Sequence, residues 1–174
     1  MNDKRSIIMD SSSAILLFKA GMFELALACY TVVIPESVEQ ELTRPGRAGA
    51  DFFSMVCSQG LMVIYDATGQ GDENAGGSPE KLGPGERDAL SLYARGKGDF
   101  IVVDDKKAAQ SCIKKKIPYV NALLLVRIFA DSGRIRQESY SAAFEKLAQI
   151  GWYSPRIVSF ARTCERERIS YFFP

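Results

Sequence analysis

Residues 100–105 read Phe100-Ile101-Val102-Val103-Asp104-Asp105. A continuous apolar run closed by two carboxylates is the pattern of a strand buried on both faces of a parallel sheet. The flanks agree. Upstream, Pro84-Gly85-Glu86 opens a helix that Gly96-Lys97-Gly98 closes. Downstream, residues 106–115 read as a helix, and Ile117-Pro118-Tyr119-Val120 as a short strand. Further out, residues 5–10 form a buried strand ending at Asp10. Ser11-Ser12-Ser13 then cap a helix that Gly21 breaks, and residues 22–29 form another. Thr31-Val32-Val33-Ile34 is β-branched and stops at Pro35, so it reads as a strand leading into a helix with Val38, Glu41 and Leu42. Residues 47–59 are read as a helix and 61–64 as a strand. Helices at 122–130, 137–149 and from Pro155 to about Glu167 complete the chain, before an apolar tail, Tyr171-Phe172-Phe173-Pro174. Docking of that tail on the body and on a second copy are both open. Strands alternating with helices predict an α/β fold with a mostly parallel sheet covered on both faces, and functional residues beyond the strands' C-terminal ends.

The chain has 174 residues, 47% of them hydrophobic and 25% charged, a composition of one globular domain. A single domain over 1–174 is expected, with a polar, Gly-rich loop at 66–83 and a C-terminal helical extension at about 153–174. There is no histidine. That excludes His-based general bases, Ser-His-Asp and Cys-His triads, and Cys/His zinc sites. The cysteines Cys29, Cys57, Cys112 and Cys164 lack paired spacing and are read as buried free thiols of a reducing cytoplasm. No signal-peptide pattern precedes Ile7, and no apolar run approaches the roughly 18 residues of a membrane span. The net charge of +1 hides an asymmetry: residues 1–100 carry −5 and residues 101–174 carry +6. A basic half can face a polyanion while an acidic half holds a cation.

Asp10 and Asp104 end strands, as Asp105 nearly does. Glu86 opens the helix that leads into the second of these strands, and Glu41 lies one turn beyond Val38. Carboxylates that converge repel one another and resist desolvation, and a hard divalent cation removes the conflict. Such a cation lowers the pKa of water and polarises a phosphoryl oxygen without histidine. Each acid also has a plainer reading, as a helix cap or a solvated side chain; Asp88 is read as solvent-facing. The basic residues Lys106, Lys107, Lys114, Lys115, Lys116, Arg127 and Arg134 are candidates to track a phosphate backbone, with a solvated helix end as the alternative for 114–116. Tyr93 and Tyr119 read as core rather than as base-stacking residues.

Four motifs in order resemble a known family. I-I-M-D-S-S-S-A-I-L-L (7–17) resembles the opening of a PIN domain, with Asp10 ending the first strand and Ser12 two residues later. V-E-Q-E-L (38–42), G-E-R-D-A-L (85–90) and I-V-V-D-D (101–105) are similar to the motifs that carry its other acids, here Glu41, Glu86, Asp104 and Asp105. I-P-Y-V-N-A-L-L-L (117–125) resembles the segment that usually carries Gly-Thr; this chain has Asn121-Ala122. The resemblance runs from residue 7 to about 135. It implies a three-layer α/β/α sandwich and a Mg²⁺- or Mn²⁺-dependent endoribonuclease, here expected to prefer single strands. Asp10, Glu41, Glu86 and Asp104 would be its catalytic acids and metal ligands, with Asp105 a further ligand and Ser12 and Asn121 in support. It also implies RNA as partner, the toxin role of a toxin–antitoxin pair with a small antitoxin protein, and a homodimer. Two other readings fit the same acids. One is a catalytically silent PIN-like module that binds nucleic acid or protein. The other is a metal-dependent phosphatase, though not one of the HAD type, where a second Asp stands in place of Ser12.

Overall fold

Neighbouring residues of the central strands enter opposite cores, which is why these strands are apolar throughout rather than alternating. The computed structural model describes residues 4–66 and 82–174. Its strands are β1 (Ser6–Met9), β2 (Thr31–Pro35), β3 (Val63–Tyr65), β4 (Phe100–Val102) and β5 (Tyr119–Val120), in the order β3-β2-β1-β4-β5, with every pair parallel. Ile7, Met9, Val32, Ile34, Phe100 and Val102 face the larger core. Ile8, Val33, Ile101 and Val103 face the smaller one.

The larger core is covered by α1 (Ser11–Lys19), α2 (Phe23–Cys29), α3 (Glu36–Leu42), α4 (Ala50–Ser58), α7 (Ala122–Asp131) and α8 (Gln137–Ile150). The smaller is covered by α5 (Pro84–Ala94) and α6 (Lys106–Lys115). This is the expected three-layer α/β/α sandwich. The chain winds outward from β1 through β2 to β3, then returns to β1's other side for β4 and β5. Strand order therefore reverses between β1 and β4. At such a switch point the loops leave in opposite directions and open a crevice.

Several boundaries differ from the sequence reading. Asp10, rather than the serines, caps α1, because its carboxylate accepts the Ser13 amide. The strand read at 61–64 lies at Val63–Tyr65, and Leu61 is exposed. The helix read over 47–59 starts only at Ala50, after Gly49 in the left-handed region (φ 83°). The last helix divides into α9 (Pro155–Thr163) and α10 (Arg166–Ile169), followed by a 3₁₀ turn, Ser170–Phe172. Cys57 is half-buried rather than buried, and all four thiols are free. Most of the Gly-rich loop, 67–81, lies outside the described residues. Among those described, no single helix is long and apolar enough to cross a membrane.

The apolar tail docks on the body of its own chain. Phe172 stacks edge-on against Phe100 with centroids 5.0 Å apart, and its carbonyl accepts the Tyr30 hydroxyl at 2.6 Å. Arg5 lies over the rings of Phe100 and Tyr171. The tail thus seals the edge of the sheet where the strands begin, away from the switch-point crevice. Phe100 is the ring shared by Tyr30, Phe172 and Arg5. Phe100→Ala should cost about 3–5 kcal/mol. Tyr30→Phe, which removes only a hydroxyl, should cost about 1 kcal/mol. Urea denaturation measures both, and equal losses would contradict this packing.

Candidate active site

Asp10 and Asp104 flank the switch point. The Asp10 amide extends the ladder of β1 by donating to the Val102 carbonyl at 3.2 Å, and its carboxylate turns onto α1, accepting the Ser13 amide at 2.7 Å. The Val103 amide extends β4 by donating to the Val120 carbonyl at 2.9 Å. Asp104 follows and accepts the Ala122 amide, at the start of α7, at 3.0 Å. Its other oxygen accepts the Tyr153 hydroxyl, from the loop between α8 and α9.

Burial raises the Asp10 pKa to about 7, and the negative charge of Asp104 adds to it; the Ser13 hydroxyl and amide work the other way. Asp10 is buried while Asp104 is half-buried by surface exposure. Desolvation also raises the Asp104 carboxyl, opposed by hydrogen bonds from Tyr153, Ser13 and Ala122. Burial and the Asp104 charge push the Tyr153 phenol upward, so it remains a donor. The Ser13 hydroxyl lies close enough to both carboxylates to lower their pKa values, yet it is buried without a hydrogen bond of standard geometry. Among the described residues, no lysine or arginine ion-pairs with either acid.

From Asp10 a cleft of about 80 Å³ opens outward, walled by Ser11 and Ser12 of α1, Val38 and Glu41 of α3, and residues 83–86 at the start of α5. Ser37 donates to Asp88, which is therefore not the solvent-facing acid expected; the bond ties α3 to α5 across the cleft. Glu41 accepts the Ser11 hydroxyl at 2.7 Å and pairs with Arg47. Glu86 folds back on the Gly83 amide and caps its own helix. The structure brings Asp10 and Asp104 together and sets Glu41 and Glu86 on the cleft beside Asp10. Among the described residues it gathers no group of three acids at metal-holding distance.

The remaining expected residues divide. Ser12 is exposed on the cleft wall, and it is Ser11 that reaches Glu41. Asp105 caps α6, accepting the Lys107 and Ala108 amides at 2.7 and 2.9 Å, and so serves a helix. Asn121 caps α7 through the Leu124 amide at 2.8 Å. Lys106 and Lys107 are exposed in the first turn of α6, on the crevice side. Lys114 and Lys115 occupy its last turn, about 12–15 Å away toward the opposite edge of the sheet. They do not extend the same track. Arg127 is clamped between Asp131 at 2.8 Å and the Arg162 carbonyl at 2.7 Å, a structural tie between α7 and α9.

Tyr153, Ser13 and Arg47 escaped the sequence reading. Ser13 was open to it, as the third residue after a capping Asp. Arg47, beyond the Pro45-Gly46 turn, offered a weaker signal, and Tyr153 offered none.

Two converging carboxylates, a buried hydroxyl against them and, among the described residues, no paired cation form the donor chemistry of a hard divalent ion such as Mg²⁺ or Mn²⁺. The Asp10–Asp104 pair fits such an ion; Glu41 and Glu86 are engaged elsewhere.

With a chelator present, stability should fall as pH rises through the window between the two Asp10 pKa values, 3.8 unfolded and about 7 folded. Across it the folded protein binds the extra proton, so rising pH favours unfolding. The loss attributable to Asp10 is on the order of 4 kcal/mol. Asp10→Asn, which keeps an acceptor for the Ser13 amide, should remove most of that slope. Urea denaturation from about pH 4 to pH 8 measures it, and identical slopes in both proteins would refute the assignment.

A family model described as a PIN domain (DUF3368) matches residues 6–162. No curated protein and no solved structure matches the chain. PIN domains are generally nucleases and typically use divalent metals. With strand order, crevice and paired aspartates in place, the match spans nearly the whole chain, and the chain belongs to the PIN-domain family.

Proposed function

We propose that the chain is a divalent-metal-dependent endoribonuclease whose centre is the Asp10–Asp104 pair. The observation that carries this reading is the meeting of two desolvated carboxylates at the switch point with, among the described residues, no cation paired to them. Asp10 and Asp104 would hold Mg²⁺ or Mn²⁺, and Glu41 and Glu86 would join them from the cleft wall only by releasing Arg47 and the Gly83 amide. Bound there, the cation supplies a Lewis acid for phosphodiester hydrolysis. The chain's own residues do the positioning. The Ser13 and Ala122 amides fix one oxygen of each aspartate, and the Tyr153 hydroxyl fixes the second oxygen of Asp104. Lys106 and Lys107, on the crevice side, draw the phosphate backbone toward the pair.

A toxin role belongs to the same reading. An antitoxin would block the centre by bringing a basic side chain to its acids, as Arg47 already does to Glu41. A homodimer is compatible with it, although the tail's apolar surface is used within the chain.

Asp10→Asn and Asp104→Asn should each reduce Mg²⁺- or Mn²⁺-dependent cleavage of single-stranded RNA by about a hundredfold or more. Saturating Mn²⁺ should stabilise the wild type by about 2–3 kcal/mol at a hundred times its Kd, and neither variant. Undiminished cleavage by pure Asp10→Asn would sink the mechanism.

A further inference from the structure

Trp152 is the chain's single tryptophan, and it is 97% exposed. Among the described residues the next most exposed large apolar side chain, Ile113, reaches only 61%. Trp152 is also in the left-handed region, with φ 54°. It follows Gly151, which terminates α8 at φ −90°. Helix ends favour the opposite assignment, with glycine in the left-handed position. The geometry explains the order. A Cβ on Gly151 would lie 2.2 Å from the Tyr153 ring, so residue 151 must be glycine for that ring to fold back. The Tyr153 hydroxyl then reaches Asp104, and on the loop's other side Ser154 caps α9. The loop is pinned before its indole by the Gly151 amide, which donates to the Leu147 carbonyl at 2.8 Å, and after it by Tyr153 and Ser154.

We propose that Trp152 is a stacking platform for an unpaired base of a single-stranded nucleic-acid substrate, presented beside the Asp10–Asp104 centre by the Gly151-Trp152-Tyr153 turn. This rests on the nuclease reading above. One Cα step, the length of a tyrosine and one hydrogen bond put the Trp152 Cα within about 13 Å of the Asp104 carboxylate. A base near the phosphate at that carboxylate is within reach. A fully exposed indole gains nothing in folding, and a left-handed backbone at a bulky residue costs stability, which is the signature of a position kept for a ligand. Stacking tolerates any base, because every base has a π-face, whereas bases paired inside a duplex offer none. Stacking on Trp152 is then a physical source for the expected preference for single strands. Arg156, exposed in the first turn of α9, adds a cation beside the platform.

Because Trp152 is the only tryptophan, fluorescence excited on the red edge, where tyrosine does not absorb, reports on this position alone. Wild type would be titrated, in EDTA to prevent cutting, with a short single-stranded oligoribonucleotide and with a duplex of the same length. Saturable quenching by the single strand and little by the duplex is expected. Anisotropy of a labelled oligonucleotide should show Trp152→Ala binding about ten- to a hundredfold more weakly, with Trp152→Phe recovering much of the loss. Wild-type enzyme that cuts RNA while its fluorescence and its Trp152→Ala affinity stay unchanged would overturn the platform and leave the nuclease reading standing. Protein that never cuts yet shows quenching would overturn the nuclease reading and keep the platform. Fluorescence that follows protein concentration through a monomer–dimer transition, indifferent to RNA, would give Trp152 to a second copy and overturn the proposal.

Discussion

Two carboxyl groups that the fold forces together govern this molecule. Asp10 and Asp104 meet because β1 and β4 are neighbours and parallel, so the strands deliver their last residues to the same edge. Burial and mutual repulsion both favour protonation of Asp10. The surrounding hydrogen bonds come from the first turns of α1 and α7 and from Tyr153, which are the elements that must stay in place for the pair to persist. The sandwich is thus built around an unfavourable contact rather than a favourable one. Its apolar cores supply the stability that tolerates the conflict.

The two cores differ in size, and the difference matters at the crevice. The larger one holds α1, α7 and α8, which carry the donors to the aspartates or lead directly into the loop that bears Tyr153. The smaller one holds α5, whose N-terminal turn forms one cleft wall, and α6, whose first turn carries Lys106 and Lys107. Rigid packing therefore lies behind the carboxylates, and cationic surface lies beside them.

Much of this was readable in the chain. The Phe100–Val103 run could only be a strand buried on both faces, so the position of Asp104 followed from it. The same holds for Ile7, Ile8 and Met9 ahead of Asp10. What sequence could not supply was the direction of each side chain. Glu41 and Glu86 sit where their motifs put them, yet one turns to Arg47 and the other to the Gly83 amide, choices made by local hydrogen bonding. Arg127 reads as a free cation, yet Asp131 is its i+4 neighbour within α7, and the Arg162 carbonyl reaches it once α9 packs against α7. Tyr153 lies 49 positions from Asp104 along the chain, and no periodicity joins them. Gly151 lies just beyond the helix read over 137–149. Its real constraint, the ring lying over it, is a tertiary fact.

The Arg47–Glu41 pair sits at the mouth of the cleft with both side chains more than a third exposed. Ion pairs of that kind contribute about 0–1 kcal/mol. A guanidinium so weakly retained is a placeholder: it lowers the apparent affinity of any competing cation by at most about sixfold, since only the fraction of molecules with a free carboxylate can bind. Raising ionic strength screens the internal competitor as well as the incoming ion. Occupancy of this mouth should therefore depend on salt less steeply than the bare charge of its acids suggests.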